Sequence, residues 1–258
     1  MDFFNCCNTI ADEVSICITP LIGTKEGDRI VRTGADNTPT KVIDEIAEVC
    51  ILNLIAKYQL CARVVSEEAG VVTMPGKDGT IFLDPLDGTF NALAAIPFYA
   101  LSIAYAENGV IKKAFVRDLA HKETFTADIG KGAYVNGIPI KVSDTKELSR
   151  SALCMYRRKS HHAQIAHLNQ QIRRSRQFGA SALEICYVAA GRLDGFVDIR
   201  GMLRVTDVAA GVLICKEAGG EATDWNGNPI FFPDAVSIEN CLIATNKILH
   251  TEIISCIR

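Results

Sequence analysis

The sequence predicts an α+β first half joined to an α/β second half, and three observations carry that prediction. Two helical periods open the chain. Short β-branched runs linked by Asn-Gly turns then fill the stretch after Ala62, and beyond Lys146 strands alternate with helices. With 258 residues, 48% of them hydrophobic, the chain can bury one large core or two closely packed ones. We place a soft boundary between residues 1–146 and 147–258; no low-complexity linker or internal repeat is visible.

In order along the chain, Phe3, Cys7, Ile10, Ala11, Val14 and Ile18 recur at three and four, the spacing of one helix face, and Pro20 with Gly23 closes the segment. The stretch "GTKEGDRIVRTGADNTPT" reads as a polar loop, and Lys41 to Tyr58 as a second helix. The runs "ARVVS", "TIFLD", "ALSIAYA", "VIKKAFVRD" and "ETFTAD" follow, with turns at Asn108-Gly109 and Asn136-Gly137, so a largely antiparallel sheet is expected. In the second half come a polar helix from Ala163 to Arg173, a helix from Ser181 to Ala190, the strand "GFVDI", a helix from Asp207 to Ala218, the strand "CLIAT" and a last helix.

A net charge of -3 with both signs interspersed points to neither nucleic acid nor an anionic membrane. The ten cysteines form no C-x-x-C pair and sit mostly in apolar periodic segments, so they read as buried thiols of a reducing compartment. The first residues carry Asp2, Asp12 and Glu13 and no basic region, so no signal peptide is expected. The longest apolar stretch, Ala92 to Ala106, is broken by Pro97 and falls short of the ~20 residues of a membrane helix. A cytoplasmic protein is expected.

The chemistry concentrates in three acidic signals. In "TIFLDPLDGTF", Asp84 sits where a buried strand emerges, and Pro85 fixes a stiff turn to Asp87. Two close carboxylates repel unless a cation lies between them, so a hard divalent metal is the economical explanation, with the Leu86 carbonyl as a further oxygen ligand. Gly88 and Thr89 open an apparent helix whose first N–H groups would meet a phosphate. Glu67 and Glu68 end another strand, and Asp207 heads an Ala/Gly-rich helix. Taken singly, these are a turn, a solvated turn and a helix cap. Arg173, Arg174 and Arg176 precede a helix beginning near Gly179, Ala180 and Ser181; an arginine cluster is either a solvated face or a bidentate phosphate site.

Glu67-Glu68, Asp84-Pro85-Leu86-Asp87-Gly88-Thr89 and Thr206-Asp207-Val208-Ala209-Ala210-Gly211 resemble, in order, the three signature segments of the inositol monophosphatase family, and "GKGAYVNG" and "EAGG" also match. The resemblance spans nearly the whole chain and is strongest to the archaeal branch, which often combines inositol monophosphatase with fructose-1,6-bisphosphatase activity. It implies a layered αβαβα sandwich of the sugar phosphatase type, two or three Mg²⁺ per subunit, a homodimer, and lithium inhibition. Carried over, Glu67, Asp84 and the Leu86 carbonyl would hold the first metal, Asp84, Asp87 and Asp207 the second, and Glu67 with waters the third, which Asp36 would complete. Asp44 would pair with the Thr89 hydroxyl to deprotonate the attacking water. The helix start at Gly179, Ala180 and Ser181 would contact the substrate, a small phosphorylated sugar or cyclitol held against Asp87, Gly88 and Thr89. Thr206 stands where the animal enzymes have tryptophan, and Asp198 and Arg200 of "DIRG" replace their Glu-centred turn. A bisphosphate, reaching Arg174, Arg176 or Arg200, becomes the more plausible substrate.

Three other readings compete. A haloacid-dehalogenase-type phosphatase places its second aspartate two residues on, whereas here the separation is three, which would misplace the acid. A 3′-phosphoadenosine nucleotide phosphatase lies within the same enzyme class, but such enzymes tend to be longer and no aromatic adenine pocket is visible in the sequence. A non-catalytic, metal-dependent phosphometabolite-binding protein would keep the fold and ligands, and the presence of every expected ligand type argues for an enzyme instead.

Overall fold

The computed structural model describes residues 2–35, 37–157, 162–233 and 236–258. Helix α1 (Phe3–Ile18) buries Cys7, Ile10, Ala11, Val14 and Ile18, the face that the sequence period marks. The expected polar loop instead contains a small hairpin, β1 (Ile30–Thr33) and β2 (Pro39–Lys41). Its strands are short, with only Thr40 buried, so no apolar alternation announces them. Helix α2 (Val42–Tyr58) packs beside α1.

The first sheet has eight strands: β3 (Arg63–Ser66), β4 (Gly70–Thr73), β5 (Thr80–Asp87), β6 (Ala100–Glu107), β7 (Val110–Asp118), β8 (Thr124–Asp128), β9 (Ala133–Val135) and β10 (Ile138–Pro139). Helix α3 (Thr89–Leu93) lies between β5 and β6 and is shorter than "GTFNALAAI" suggests. Strand order is β10-β9-β8-β7-β6-β5-β3-β4, antiparallel throughout except for the β3–β5 pair.

The second sheet, ordered β12-β11-β13-β15-β14, is built from β11 (Ala152–Tyr156), β12 (Arg174–Arg176), β13 (Gly195–Arg204), β14 (Glu221–Thr223) and β15 (Ser237–Thr245). Helix α4 (His162–Gln171) crosses from β11 to its parallel neighbour β12, and α5 (Ser181–Ala189) crosses to β13, parallel to β11. Helix α6 (Val205–Glu217) follows β13, and α7 (His250–Ile257) closes the chain.

Alternation along the strands assigns the layers. Val64, Ile81 and Leu83 pack with α1 and α2, while the intervening Val65 and Phe82 pack with α5 and α6. In the second sheet Cys154 and Phe196 join that middle cluster, and Leu153, Met155 and Val197 face α4 and α7. Both sheets are therefore covered on two faces, which gives the layered αβαβα sandwich. Residues from both sides of Lys146 share the middle cluster, so α5 and α6 meet strands of each sheet.

Candidate active site

Every residue of β5 is buried, and its end carries the first two candidate carboxylates. In a regular strand residues three apart face opposite sides. Here Asp84 pairs with Ser102 but Asp87 with Ala100, so three steps along β5 match two along β6. The bulge re-aims Asp87 so that its charge reaches Asp84. Gly88 turns the chain next, at φ +91°, and a Cβ there would lie 3.0 Å from the Phe98 carbonyl oxygen and 3.1 Å from the Ala180 Cβ. Only glycine fits such a turn without strain.

The other carboxylates come from helix starts. Asp44 is the third residue of α2, with Oδ2 accepting the Lys41 N–H at 3.3 Å, and Asp207 is the third residue of α6 rather than its cap. At these positions the positive end of the helix dipole favours an anion. The Thr89 hydroxyl lies 2.8 Å from Asp44 Oδ1 and 3.0 Å from the Leu86 carbonyl oxygen, and its single proton serves one of them at a time.

Glu67 follows β3, and its N–H reaches the Leu83 carbonyl of β5 at 3.3 Å. Glu48 of α2 braces this turn. It accepts from Ser66 Oγ at 2.5 Å and Ala69 N–H at 2.8 Å, and it pairs with Arg32 at 2.9 Å. Glu68 is buried and takes the Thr40 hydroxyl instead.

Carboxylate oxygens of Glu67, Asp84 and Asp207 lie within 4.8 Å of one another. Asp87 lines the same pocket, and its Oδ2 accepts the Ala182 N–H of α5 at 2.7 Å. Asp84 Oδ1 takes the Leu86 N–H at 3.0 Å, but its Oδ2 is buried with no hydrogen-bond partner. An orphaned carboxylate oxygen is costly, and a cluster of hard oxygen donors of this kind suits a divalent cation such as Mg²⁺. Burial, and then the charge of Asp84, pushes the Glu67 carboxyl well above the usual range. Burial with Asp87 and Asp207 does the same to Asp84, and burial with Asp207 to Asp87. Burial also lifts Asp44 to about 6, against the hydrogen bond from Thr89.

Arg204, absent from the sequence expectations, supplies the opposing charge. Its Nη1 bonds Glu67, and its Nε donates to Asp207 Oδ1 at 2.9 Å. Its one signal in the sequence is the i,i+3 spacing to Asp207.

A pocket of about 290 Å³ opens over the cluster, lined by Glu67, Asp87, Gly88, Thr89, Arg204 and Asp207 on one side and by Tyr156, Gly179, Ser181 and Arg200 on the other. Phe90, also lining it, is 74% exposed. Ala180 is fully buried and contributes packing only. Asp198 is buried too, and meets the pocket through Arg200, whose Nε and Nη2 contact its carboxylate at 3.0 and 2.6 Å. Arg174 and Arg176 are exposed on β12 and do not line this pocket. Each bonds a neighbouring backbone carbonyl, and Arg176 borders a separate hollow with Met155, Ile165 and Gln177. Asp36 lies outside the described residues.

Tyr156 and Glu184 were also missed. Glu184 has a legible signal, an acidic residue inside the apolar helix "SALEICYVA".

Comparison with known proteins gives one consistent result. The model of the inositol monophosphatase family matches residues 7–258. A fructose-1,6-bisphosphatase/inositol-1-monophosphatase of Methanothermobacter thermautotrophicus is 36% identical over 259 residues, covering 95% of this chain and 92% of the relative. The bifunctional NADP phosphatase/NAD kinase of Methanococcus maripaludis is 35% identical over 282 residues, covering 98% of this chain and 49% of the relative, so the chain spans about half of that protein's length. A solved structure of an inositol monophosphatase-fructose 1,6-bisphosphatase superposes with a TM-score of 0.91 at 32% identity, covering 99% of this chain and 100% of the other.

Proposed function

The chain belongs to the inositol monophosphatase family, and from that premise we propose that it is a Mg²⁺-dependent phosphate monoester hydrolase acting on fructose 1,6-bisphosphate and inositol monophosphate. The observation that carries this reading is the clustering of Glu67, Asp84 and Asp207 carboxylate oxygens within 4.8 Å of one another, with Asp84 Oδ2 unpartnered, beside the Thr89–Asp44 pair. Glu67, Asp84 and the Leu86 carbonyl would hold one cation, Asp84, Asp87 and Asp207 a second, and Glu67 with waters a third, which Asp36 would complete. Bound there, Mg²⁺ supplies Lewis-acid polarisation of the phosphoryl oxygens and a lowered water pKa.

The residues do the rest. With its proton directed to Asp44, Thr89 Oγ1 offers a lone pair to the attacking water and takes its proton as the P–O bond forms. Asp44, titrating near 6, receives the proton relayed by Thr89 at neutral pH. The phosphoryl group sits against Gly88 and Thr89, and the leaving alkoxide takes its proton from solvent. Ser181, Gly179 and Arg200 face the sugar or cyclitol, with a second phosphate toward the Arg200 guanidinium.

A nucleotide is the second reading. Phe90 at the pocket rim offers an open ring face to a base, and a relative matched over 98% of this chain is named an NADP phosphatase. Phosphate release from fructose 1,6-bisphosphate, inositol 1-phosphate and NADP, each with Mg²⁺ and with EDTA, separates the readings. Mg²⁺-dependent release from the first two supports ours, and release from NADP alone supports the second. Release from none, by folded metal-loaded protein, favours a non-catalytic binding role. A cytoplasmic homodimer completes the proposal, and light scattering tests the assembly. Among the described residues, no helix is long and apolar enough to cross a membrane.

A further inference from the structure

The pocket wall opposite the carboxylates rests on one buried group that the hydrolysis does not use. Glu184, in the first turn of α5, is fully buried. Its Oε1 accepts the Tyr156 hydroxyl at 2.7 Å and the Phe178 N–H at 2.6 Å, with the Gly179 N–H at 3.3 Å. The Tyr156 oxygen in turn accepts the Gly179 N–H at 2.9 Å. A single carboxyl thus ties the end of β11 to the loop that enters α5.

The Tyr156 ring has a second contact. The Arg200 guanidinium lies over it, 4.6 Å from the ring centre, while Asp198 accepts from Nε and Nη2. Arg200 Nη1 has no hydrogen bond among the described residues, and the side chain lines the pocket. An arginine held by both a carboxylate and a ring face has a fixed plane, and its remaining N–H groups are presented in one direction. Because Asp198 cancels the charge of Arg200, what the pair offers a ligand is directed donors rather than net attraction.

We propose that Glu184 and Tyr156 are positioning residues that fix the Arg200 guanidinium, and so set the preference of the pocket for a substrate bearing a second anionic group. This rests on the hydrolase reading above and concerns selectivity between substrates within it. Neither residue belongs to the carboxylate cluster or to the Thr89–Asp44 pair. A fixed fork rewards a ligand whose second phosphate meets it and gives little to one without it.

The test compares kcat/KM on fructose 1,6-bisphosphate and inositol 1-phosphate for wild type, Y156F, Y156L, E184L and E184Q. Y156L and E184L are expected to lower the bisphosphate-to-monophosphate ratio about tenfold, chiefly through KM for the bisphosphate, with Y156F intermediate. E184Q keeps an oxygen acceptor for Tyr156 and Phe178 and is expected to hold the wild-type ratio. Y156F removes one oxygen only and keeps the test valid should E184L fail to fold. An equal loss on both substrates, or an unchanged ratio in Y156F and Y156L, would overturn the proposal. Turnover of neither substrate by the wild-type chain would instead remove the hydrolase reading, and this proposal with it.

Discussion

At the scale of single residues, Asp84, Thr89 and Arg204 divide the problem between them. Asp84 Oδ2 has no partner, so replacing Asp84 with Asn removes a buried carboxyl that is costly to ionise while Oδ1 can still accept the Leu86 N–H. D84N is expected to abolish turnover and any Mg²⁺-induced rise in Tm, yet to melt no lower than wild type in EDTA; a scan with and without Mg²⁺ checks all but the first. Thr89→Ala breaks the relay to Asp44 and should lower kcat by about 10²–10³ with little change in KM. Because the Thr89 hydrogen bond lowers the Asp44 pKa, its loss also moves the acid limb of the kcat–pH profile upward. Arg204 bonds Glu67 and Asp207 and so competes with any cation for them. Arg204→Met should bind Mg²⁺ about tenfold more tightly, read by calorimetric titration. The aspartates were legible because their spacing and flanking glycines are unusual together. Arg204 was not, because an arginine three residues before an aspartate is a weak pattern until Glu67, which follows β3, is placed beside it.

At the scale of elements, the reading succeeded where burial imposes a period and failed where local geometry decides. Helix α1 and strand β5 are written in their apolar residues. The β1–β2 hairpin is not, since its burial is slight and its residues are those of any polar loop. The β5 bulge also escapes a reading of period two, although it is what allows carboxylates three residues apart to serve one site. The turn that follows depends on Gly88. Gly88→Ala meets both a left-handed backbone and the Phe98 carbonyl, and should cost about 1–3 kcal/mol in urea unfolding, with activity falling alongside. The second-half helix boundaries were close, but β13 runs five residues past "GFVDI" and the short strands β12 and β14 carry no period; α6 begins at Val205, two residues before Asp207, so that the carboxylate sits inside the first turn.

For the whole molecule, the candidate ligands come from both sides of Lys146: Glu67, Asp84 and Asp87 from the first sheet and its turns, Asp207 from α6. Without a cation the buried Glu67, Asp84 and Asp87 carboxyls hold protons that the unfolded chain gives up near its ordinary carboxylate value of about 4. Asp44 keeps its proton to about 6, and Glu67, Asp84 and Asp87 are raised as well. The folded state therefore binds more protons than the unfolded one, so metal-free stability falls as pH rises from about 4 through 6 and beyond. Protein in EDTA should melt higher at pH 5.5 than at pH 8. Saturating Mg²⁺ should reverse that order, raising Tm at pH 8 by about 5 °C or more. The layering carries a further consequence. The carboxylates at β3 and β5 belong to one sheet, while Tyr156, Asp198 and Arg200 stand on the other, across the helices that separate them. Reaction and recognition are thus separately editable: the far wall can be rewritten for a new phosphorylated compound while the cutting edge is left as it is.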